Sequence, residues 1–458
     1  MPIISQFYLS QQSKIKKYAT NITATDFLEL LYNDEWLSIV EENIPEYREQ
    51  IYTPMQTLSM FMAQALSDDR SCSKAVNDLI IQTQSQENSR TISPNTGAYC
   101  LARQKLPLAL LTQLTVKVGN SISQNTPPQW KWFGRSVRLI DGTTISMPDT
   151  EKSQVVYPQP KNQKEGLGFP ICRLLAVSCL HTGVILNASI GPCKGKGSDE
   201  KSLLRNVLDT FNVGDIVVGD AFFGSYFLLV EMMNRGVDVL FEQLGPRKLM
   251  TDFGKGIALA KKDHLIDFSK PKIKPDWMTQ KAFDEAPAKI TIREFKVGQK
   301  TLITTMLAAK EYPKKELGAL FKQRWHVEVD FRNLKTTLGL VVLSCKTPEM
   351  CQKEMWVYFL ANNLIRLLMA QAAVEHDLLP RQLSFKHTVQ IWNTYFLLEK
   401  ALDDPMFALI AKRHVGNRPG RMEPRAIKRR PKPYKLLMIP RSEARQDIMK
   451  NGHPKKMK

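Results

Sequence analysis

The chain is poor in the residue patterns that structural metals and disulfides need. Its seven cysteines are scattered, no Cys-x-x-Cys pair occurs among them, and no histidines stand at a ligand-like spacing beside them. That excludes a zinc-ribbon or finger site and a disulfide framework, and it fits a reducing cytosol. Unbroken long apolar runs are also missing. The most apolar segment, Trp356 to Ala373, is interrupted by Asn362, Asn363 and Arg366, so it reads as a buried helix rather than a membrane span. No secretory pattern opens the sequence, and a cytoplasmic protein with no membrane partner is expected. Acidic residues are in short supply, with 45 Asp and Glu against 64 Lys and Arg for a formal net charge of +19. Most of that excess lies at one end, because residues 411–458 hold 16 basic residues and 3 acidic ones. Such a tail reads as an arm that tracks phosphates and orders on nucleic acid, the alternative being a purely solubilising extension.

The most informative stretch runs from Phe321 to Lys335. Positions 321, 324, 328 and 335 are separated by 3, 4 and 7 residues, which on a regular helix keeps them on one stripe. One helix face is therefore expected to offer Arg324, Glu328 and Lys335 together. A carboxylate flanked by cations in this way suits a group that holds a metal ion while its neighbours grip phosphates.

Two further acids stand where α/β proteins place their chemistry. Ser136 to Ile140 is a β-rich run delivering Asp141 into Gly142-Thr143-Thr144, and Ile216 to Gly219 is a second run ending in Asp220. Both are read as sitting at the carboxyl end of a buried strand. Asp215, at the entry of the second run, lies at the wrong end to join them. Three carboxylates so placed can hold two divalent ions roughly 4 Å apart and drive in-line displacement at phosphorus. Asp330 points away from Glu328 by helix periodicity, and Asp149 falls in a following loop.

The set Asp141-Gly142-Thr143, Asp220 with Gly224 behind it, and Arg324-Glu328-Lys335 resembles the Asp-Asp-Glu transposases of bacterial insertion sequences, and among them the insertion sequence four family with its Tyr-Arg-Glu-Lys signature. The likeness extends from about Tyr52 to the basic tail. Phe321 stands where that family usually has Tyr. The resemblance implies Asp141, Asp220 and Glu328 as catalytic metal ligands for two Mg²⁺ or Mn²⁺ ions, and Arg324, Lys335, Trp277 and Phe321 as DNA-binding residues. It implies double-stranded DNA as partner, both terminal inverted repeats and target, with a homodimer in the DNA complex and a hairpin on the cleaved end. Rival readings are a nuclease with the same core that lacks strand transfer, and a non-catalytic DNA-binding protein descended from a transposase.

The expected fold class is α/β. Residues 1–130 read as a helical DNA-binding region, with Thr53-Pro54 and Ser93-Pro94 as helix starts. From 131 to 244 the order of three strands, helix, strand, helix, strand resembles a ribonuclease H-like core, its second and third strands joined as a hairpin through Leu180 to Gly183. Residues 245–309 read as a β-rich insertion, because too many residues separate Asp220 from Glu328 for the elements a core requires. Residues 310–345 bring the helix with the last acid, 346–410 add amphipathic helices at Glu349 to Ala373 and Phe385 to Leu402, and 411–458 form the basic tail. Trp277, among cations within the insertion, is either a local core residue or a platform for an unpaired base. Trp325 is expected in the core.

Overall fold

The computed structural model describes residues 39, 42–44, 51–84, 91–160, 164, 166–398, 404–416 and 437–453. Before the sheet, the described residues include the helices α1 (Pro54–Leu66), α2 (Cys72–Gln84), α3 (Gly97–Lys105) and α4 (Leu108–Gln124). Thr53 caps α1 by accepting from the Gln56 N–H at 3.2 Å, with Pro54 at the first helical position. The second expected device is not used, because α3 begins at Gly97, three residues after Pro94.

The rest is built on one nine-stranded mixed sheet. Strands β1 (Val137–Ser146), β2 (Ile171–Cys179) and β3 (Ile185–Pro192) follow, with α5 (Glu151–Val156) between the first two. Then come α6 (Glu200–Arg205), β4 (Ile216–Gly219), α7 (Tyr226–Asn234) and β5 (Asp238–Glu242). The spatial order is β3-β2-β1-β4-β5 and onward. The first three strands are antiparallel, and β4 and β5 are parallel to β1. Completely buried Val, Ile and Leu in β1 and β4 explain why both read as continuous apolar runs, as parallel strands covered on both faces do.

The residues after β5 do not fold apart from this sheet. After α8 (Gly245–Lys248) come β6 (Ile257–Ala260), β7 (Asp263–Ser269), α9 (Gln280–Glu285), β8 (Lys289–Val297) and β9 (Lys300–Thr304). β9 returns to pair with β5, Leu240 opposite Thr304, so the order continues β9-β8-β7-β6. Charged residues inside this region are paired: Arg293 grips the Asp263 carboxylate at 2.6 and 2.8 Å, and Glu294 meets Arg247, Gln243 and His264. Buried charges survive only when satisfied in this way.

Helices α10 (Lys314–Lys322), α11 (Trp325–Arg332), α12 (Pro348–Glu375), α13 (Phe385–Leu397) and α14 (Asp404–Ala411) complete the core, and α15 (Arg441–Asn451) lies in the tail. Leu402, the expected end of α13, is outside the described residues. α12 is the single helix, among those described, that is long and apolar enough to cross a membrane, and 78% of its most apolar window is buried inside the fold. Its polar interruptions have structural partners. Asn363 clamps the backbone of Ile185 at 2.7 and 2.8 Å, where Gly119 of α4 lets the helix approach that carbonyl. Arg366 binds the buried Asp330 of α11 at 2.7 Å, and Arg381 binds the same carboxylate while donating to the carbonyls of Cys179 and Leu180.

The expectation that the tail is an arm ordered only by DNA is revised for its far end. Arg441 pairs with Asp149 and lies 4.5 Å from the Phe169 ring, and Pro440 sits against Gly166. Residues 417–436, which carry much of the positive charge, are outside the described residues.

His181, in the β2–β3 turn, is largely buried with Arg138, Arg381 and Lys131 around it. Burial, followed by those cations, pushes its imidazole down to about 4 from its ordinary 6.5. The unfolded chain therefore takes up a proton there first. Stability from this group is intact above pH 6.5 and is lost as pH falls from 6.5 towards 4, with a slope of at most about 1.4 kcal/mol per pH unit. Replacing His181 with Gln should make the decline of the unfolding midpoint between pH 7 and 4.5 shallower. Parallel pH profiles for the two proteins would exclude His181 as the source.

Candidate active site

Register places the two aspartates side by side. Leu139 of β1 pairs with Val218 of β4 in parallel, and Asp141 and Asp220 each follow two residues later. Pairing between these strands stops at Leu139, so β1 runs on with its β4 side free of strand partners until Ser146 bridges to Val342. Asp141 thus lies in mid-strand rather than at its end as expected. Gly142 does not turn the chain, and the β-branched Thr143, Thr144 and Ile145 carry the strand on against β2. Asp220 does end β4. Its carboxylate accepts from the Phe222 N–H at 2.8 Å, capping the turn Ala221–Phe223 and aiming the chain into α7.

Glu328 comes from α11, but not on one regular helix spanning 321–335. Around Gln323 and Arg324 the backbone tightens: the N–H groups of Gln323, Arg324, His326 and Val327 each bond three residues back. From Asn333 to Thr337 it widens into a π-turn. Tightening and widening move residues off the stripe that regular spacing implies. Arg324 and Glu328 remain together, at 2.8 Å, and the same guanidinium is 3.5 Å from Asp141, so Arg324 joins α11 to β1. Lys335 lies past the start of the wide turn and donates to Thr143 at 2.6 Å. Thr143 shares a face of β1 with Asp141, which sets the Lys335 ammonium one pleat away from that acid.

Phe321 does not share this surface. It is 6% exposed and packs with Leu317 and Leu320 against the core, with Lys300 5.3 Å above its ring. The apolar spacing 317, 320, 321 is a core stripe, and that signal is present in the sequence. Trp325, expected in the core, is 61% exposed, because the tightened turn carries it outward. Trp277 is 42% exposed, with Arg205 3.4 Å over its ring and Phe227 against it edge-on.

Electrostatically the site is strained. Burial drives the Asp141 carboxyl up to about 6. The Gly142 N–H, at 2.8 Å, and Arg324 oppose that rise, while Asp220 and Glu200 add to it. Glu200 is a residue that no sequence motif singles out. It is half-buried at the first turn of α6, and burial followed by the Asp220 charge raises its carboxyl too, with Arg173 opposing. Lys335 is shifted down by its own burial, the nearby Cys172 opposing. Among the described residues, no three Asp, Glu, His or Cys side chains are grouped closely enough to enclose one metal ion. In this arrangement Arg324 supplies the positive charge to Asp141 and Glu328. The donors are all carboxylate oxygens, the set that Mg²⁺ and Mn²⁺ take.

Two acids thus follow neighbouring parallel strands of a mixed sheet, and a third stands on a helix tied to the first by an arginine. The profile of the Transposase DDE domain family matches residues 132–364, which hold all three acids, and the chain belongs to that family of metal-dependent, DNA-cleaving transposases. It is 26% identical over 360 residues to transposase InsG for insertion sequence element IS4 of Escherichia coli strain K12, covering 74% of this chain and 77% of that relative. This accords with the insertion sequence four resemblance. A solved structure, the piggyBac transposase synaptic complex with hairpin DNA, aligns over 88% of both chains at 11% identity and a TM-score of 0.43.

Trp277→Ala should lower the unfolding midpoint in the absence of DNA, since it removes the Arg205 and Phe227 contacts, together about 1 kcal/mol. An unchanged melt would assign the indole to a surface role alone.

Proposed function

We propose that this transposase moves an insertion sequence by cut-and-paste transposition, through phosphodiester hydrolysis followed by strand transfer. The observation that carries the reading is Arg324, which touches both Asp141 and Glu328 and so gathers the acids of β1 and α11 beside the end of β4. Asp141, Asp220 and Glu328 would hold two divalent ions, Mg²⁺ or Mn²⁺. Such ions, when bound, activate an attacking oxygen and stabilise charge on the leaving one. The chain's own groups do the rest. Lys335, held at Thr143, is placed to take a phosphate oxygen next to the scissile bond, and Arg324 has a planar fork suited to a second one once a cation takes over its carboxylates. Trp277 keeps enough exposed indole to meet a base outside the helix.

The strand order β3-β2-β1-β4-β5, with three antiparallel strands followed by two parallel ones, supports a ribonuclease H-like core at 131–244 and 310–345. Residues 245–309 are then an insertion that lengthens the sheet. Residues 1–130 serve as a helical DNA-binding region, 346–410 as a supporting helical layer and 411–458 as a basic tail. Terminal inverted repeats and target DNA are the partners, synapsis of two ends calls for a homodimer on DNA, and the site of action is the cytoplasmic nucleoid.

Asp141→Ala, Asp220→Ala and Glu328→Ala are each expected to abolish cleavage in Mg²⁺ while leaving end binding in Ca²⁺, read by gel shift, within a few-fold. Near-normal cleavage by any one would remove that residue from the triad. Lys335→Ala should slow single-turnover cleavage at saturating Mg²⁺, by up to about a hundredfold if the strand is misplaced. Full recovery of rate at high metal would instead make Lys335 a contributor to metal affinity.

A further inference from the structure

A cavity of about 570 Å³ lies between the helices α1 to α3 on one side and residues 344–347 with the start of α12 on the other, and none of the three acids lines it. Its charged lining is Arg70, Arg103 and Lys346 against a single acid, Glu354. That acid is engaged by the backbone. Both Glu354 carboxylate oxygens accept from the Ser344 N–H at 3.0 Å, and one accepts from the Cys345 N–H at 2.9 Å. The cavity is left with an excess of positive charge.

Arg103 breaks the rule that the other buried arginines keep. Arg138, Arg293 and Arg366 each meet a carboxylate, from Asp215, Asp263 and Asp330. Arg103 is 8% exposed, and among the described residues no acid pairs with it. Its Nη1 reaches the Gln64 side-chain oxygen at 3.4 Å, its Nη2 faces the sulfurs of Cys72 and Cys100 at 3.2 and 3.7 Å, and its buried Nε has no partner. Thiol sulfurs are weak acceptors. The Phe61 and Tyr99 rings, 4.8 and 5.0 Å from the guanidinium carbon, serve the face of the group and leave its N–H edge to an oxyanion. Arg70 repeats the pattern. Its Nε is buried without a partner, and its Nη2 makes one long contact, 3.5 Å, to the Thr337 carbonyl at the end of the wide turn that carries Lys335. A desolvated cation with no counter-charge is costly, and a bound anion removes that cost.

We propose that this cavity binds a phosphate group, held by the N–H edges of Arg103 and Arg70 with Lys346 adding its charge, at a site separate from the acids of β1, β4 and α11. Planar guanidinium forks match the oxygens of a phosphate. Phe61, Met350 and Tyr358 in the lining give apolar surface for the carbon skeleton of a phosphate ester. The phosphate belongs either to a free compound or to a DNA strand. The inference does not depend on the reading of Asp141, Asp220 and Glu328 as metal ligands.

Calorimetric titration of inorganic phosphate into the full chain, without DNA or metal, tests it. Wild type would be compared with Arg70→Gln, Arg103→Gln and Lys346→Ala, each also melted without phosphate. Wild type should saturate at one phosphate per chain. Arg70→Gln and Arg103→Gln should each weaken binding by about tenfold or more, the loss of a charge-assisted hydrogen bond, and Lys346→Ala, at an exposed position, by less. If Arg103→Gln melts well below wild type, Arg70→Gln and Lys346→Ala carry the decision. Repeating the titration on the chain bound to a DNA duplex separates the two sources: lost phosphate uptake gives the cavity to a DNA phosphate, and unchanged uptake gives it to a free compound. Absence of saturable one-to-one binding overturns the proposal. Wild-type affinity in Arg70→Gln and Lys346→Ala also overturns it, because the anion would then sit elsewhere on this basic chain.

Discussion

The geometry of the site depends on a buried carboxylate that performs no chemistry. Asp330 is 1% exposed and is held by Arg366 from α12 and by Arg381, which also grips the β2–β3 turn through two carbonyls. The cluster ties the helix bearing Glu328 to the layer beneath it and to the sheet beside it. A buried group with three ionic members leaves little tolerance for displacement, because any shift strands a desolvated charge. Register on α11 is therefore set from its inner face, and Glu328 on the outer face inherits it. Asp330 stands two positions after Glu328, which is how a helix turns a fixed contact on one side into placement on the other.

Above this clamp the electrostatics run in the opposite sense. Asp220 and Glu200 add to the rise of the Asp141 carboxyl that burial causes, and Arg324 opposes it. The sheet makes the arrangement possible by stopping the β1–β4 pairing early, so that acids from a strand interior and a strand end stand beside an unpaired stretch of β1. The strain is carried by a rigid frame of completely buried Val, Ile and Leu on β1 and β4. Function-bearing repulsion placed on such a scaffold is consistent with local cost offset by surrounding packing.

Much of this was legible in the chain. Apolar runs ending near Asp141 and Asp220, the Thr53-Pro54 cap, and the Asn362, Asn363 and Arg366 interruptions in α12 all translate directly into observed features. Less legible was anything set by the path between elements. Helical spacing put Phe321 on the functional stripe and Trp325 in the core. The tightened turn at Gln323–Arg324 reverses both, and nothing local announces such a turn. At Gly142 the glycine matters not for backbone freedom but for the room it leaves Glu200, visible only once α6 is folded against it. Glu200 was hidden for the same reason. Nor could the 245–309 region show by itself that its last strand returns to the edge of β5. The far end of the basic tail resting on Asp149 and Phe169 likewise needs tertiary structure to be seen.

The contact between Lys335 and Thr143 joins positions 192 residues apart in sequence. Every strand from β2 to β9 lies within that span, so the loop it closes contains nearly the whole sheet. Loop-closure entropy grows only logarithmically with length, so the contact costs little more in stability than a shorter one, but contacts this distant form late as a chain folds. Arg381, which completes the clamp under α11, lies further along still. A growing polypeptide that already carries Asp141, Asp220 and Glu328 therefore still lacks Arg381, one of the two cations that hold Asp330 under α11.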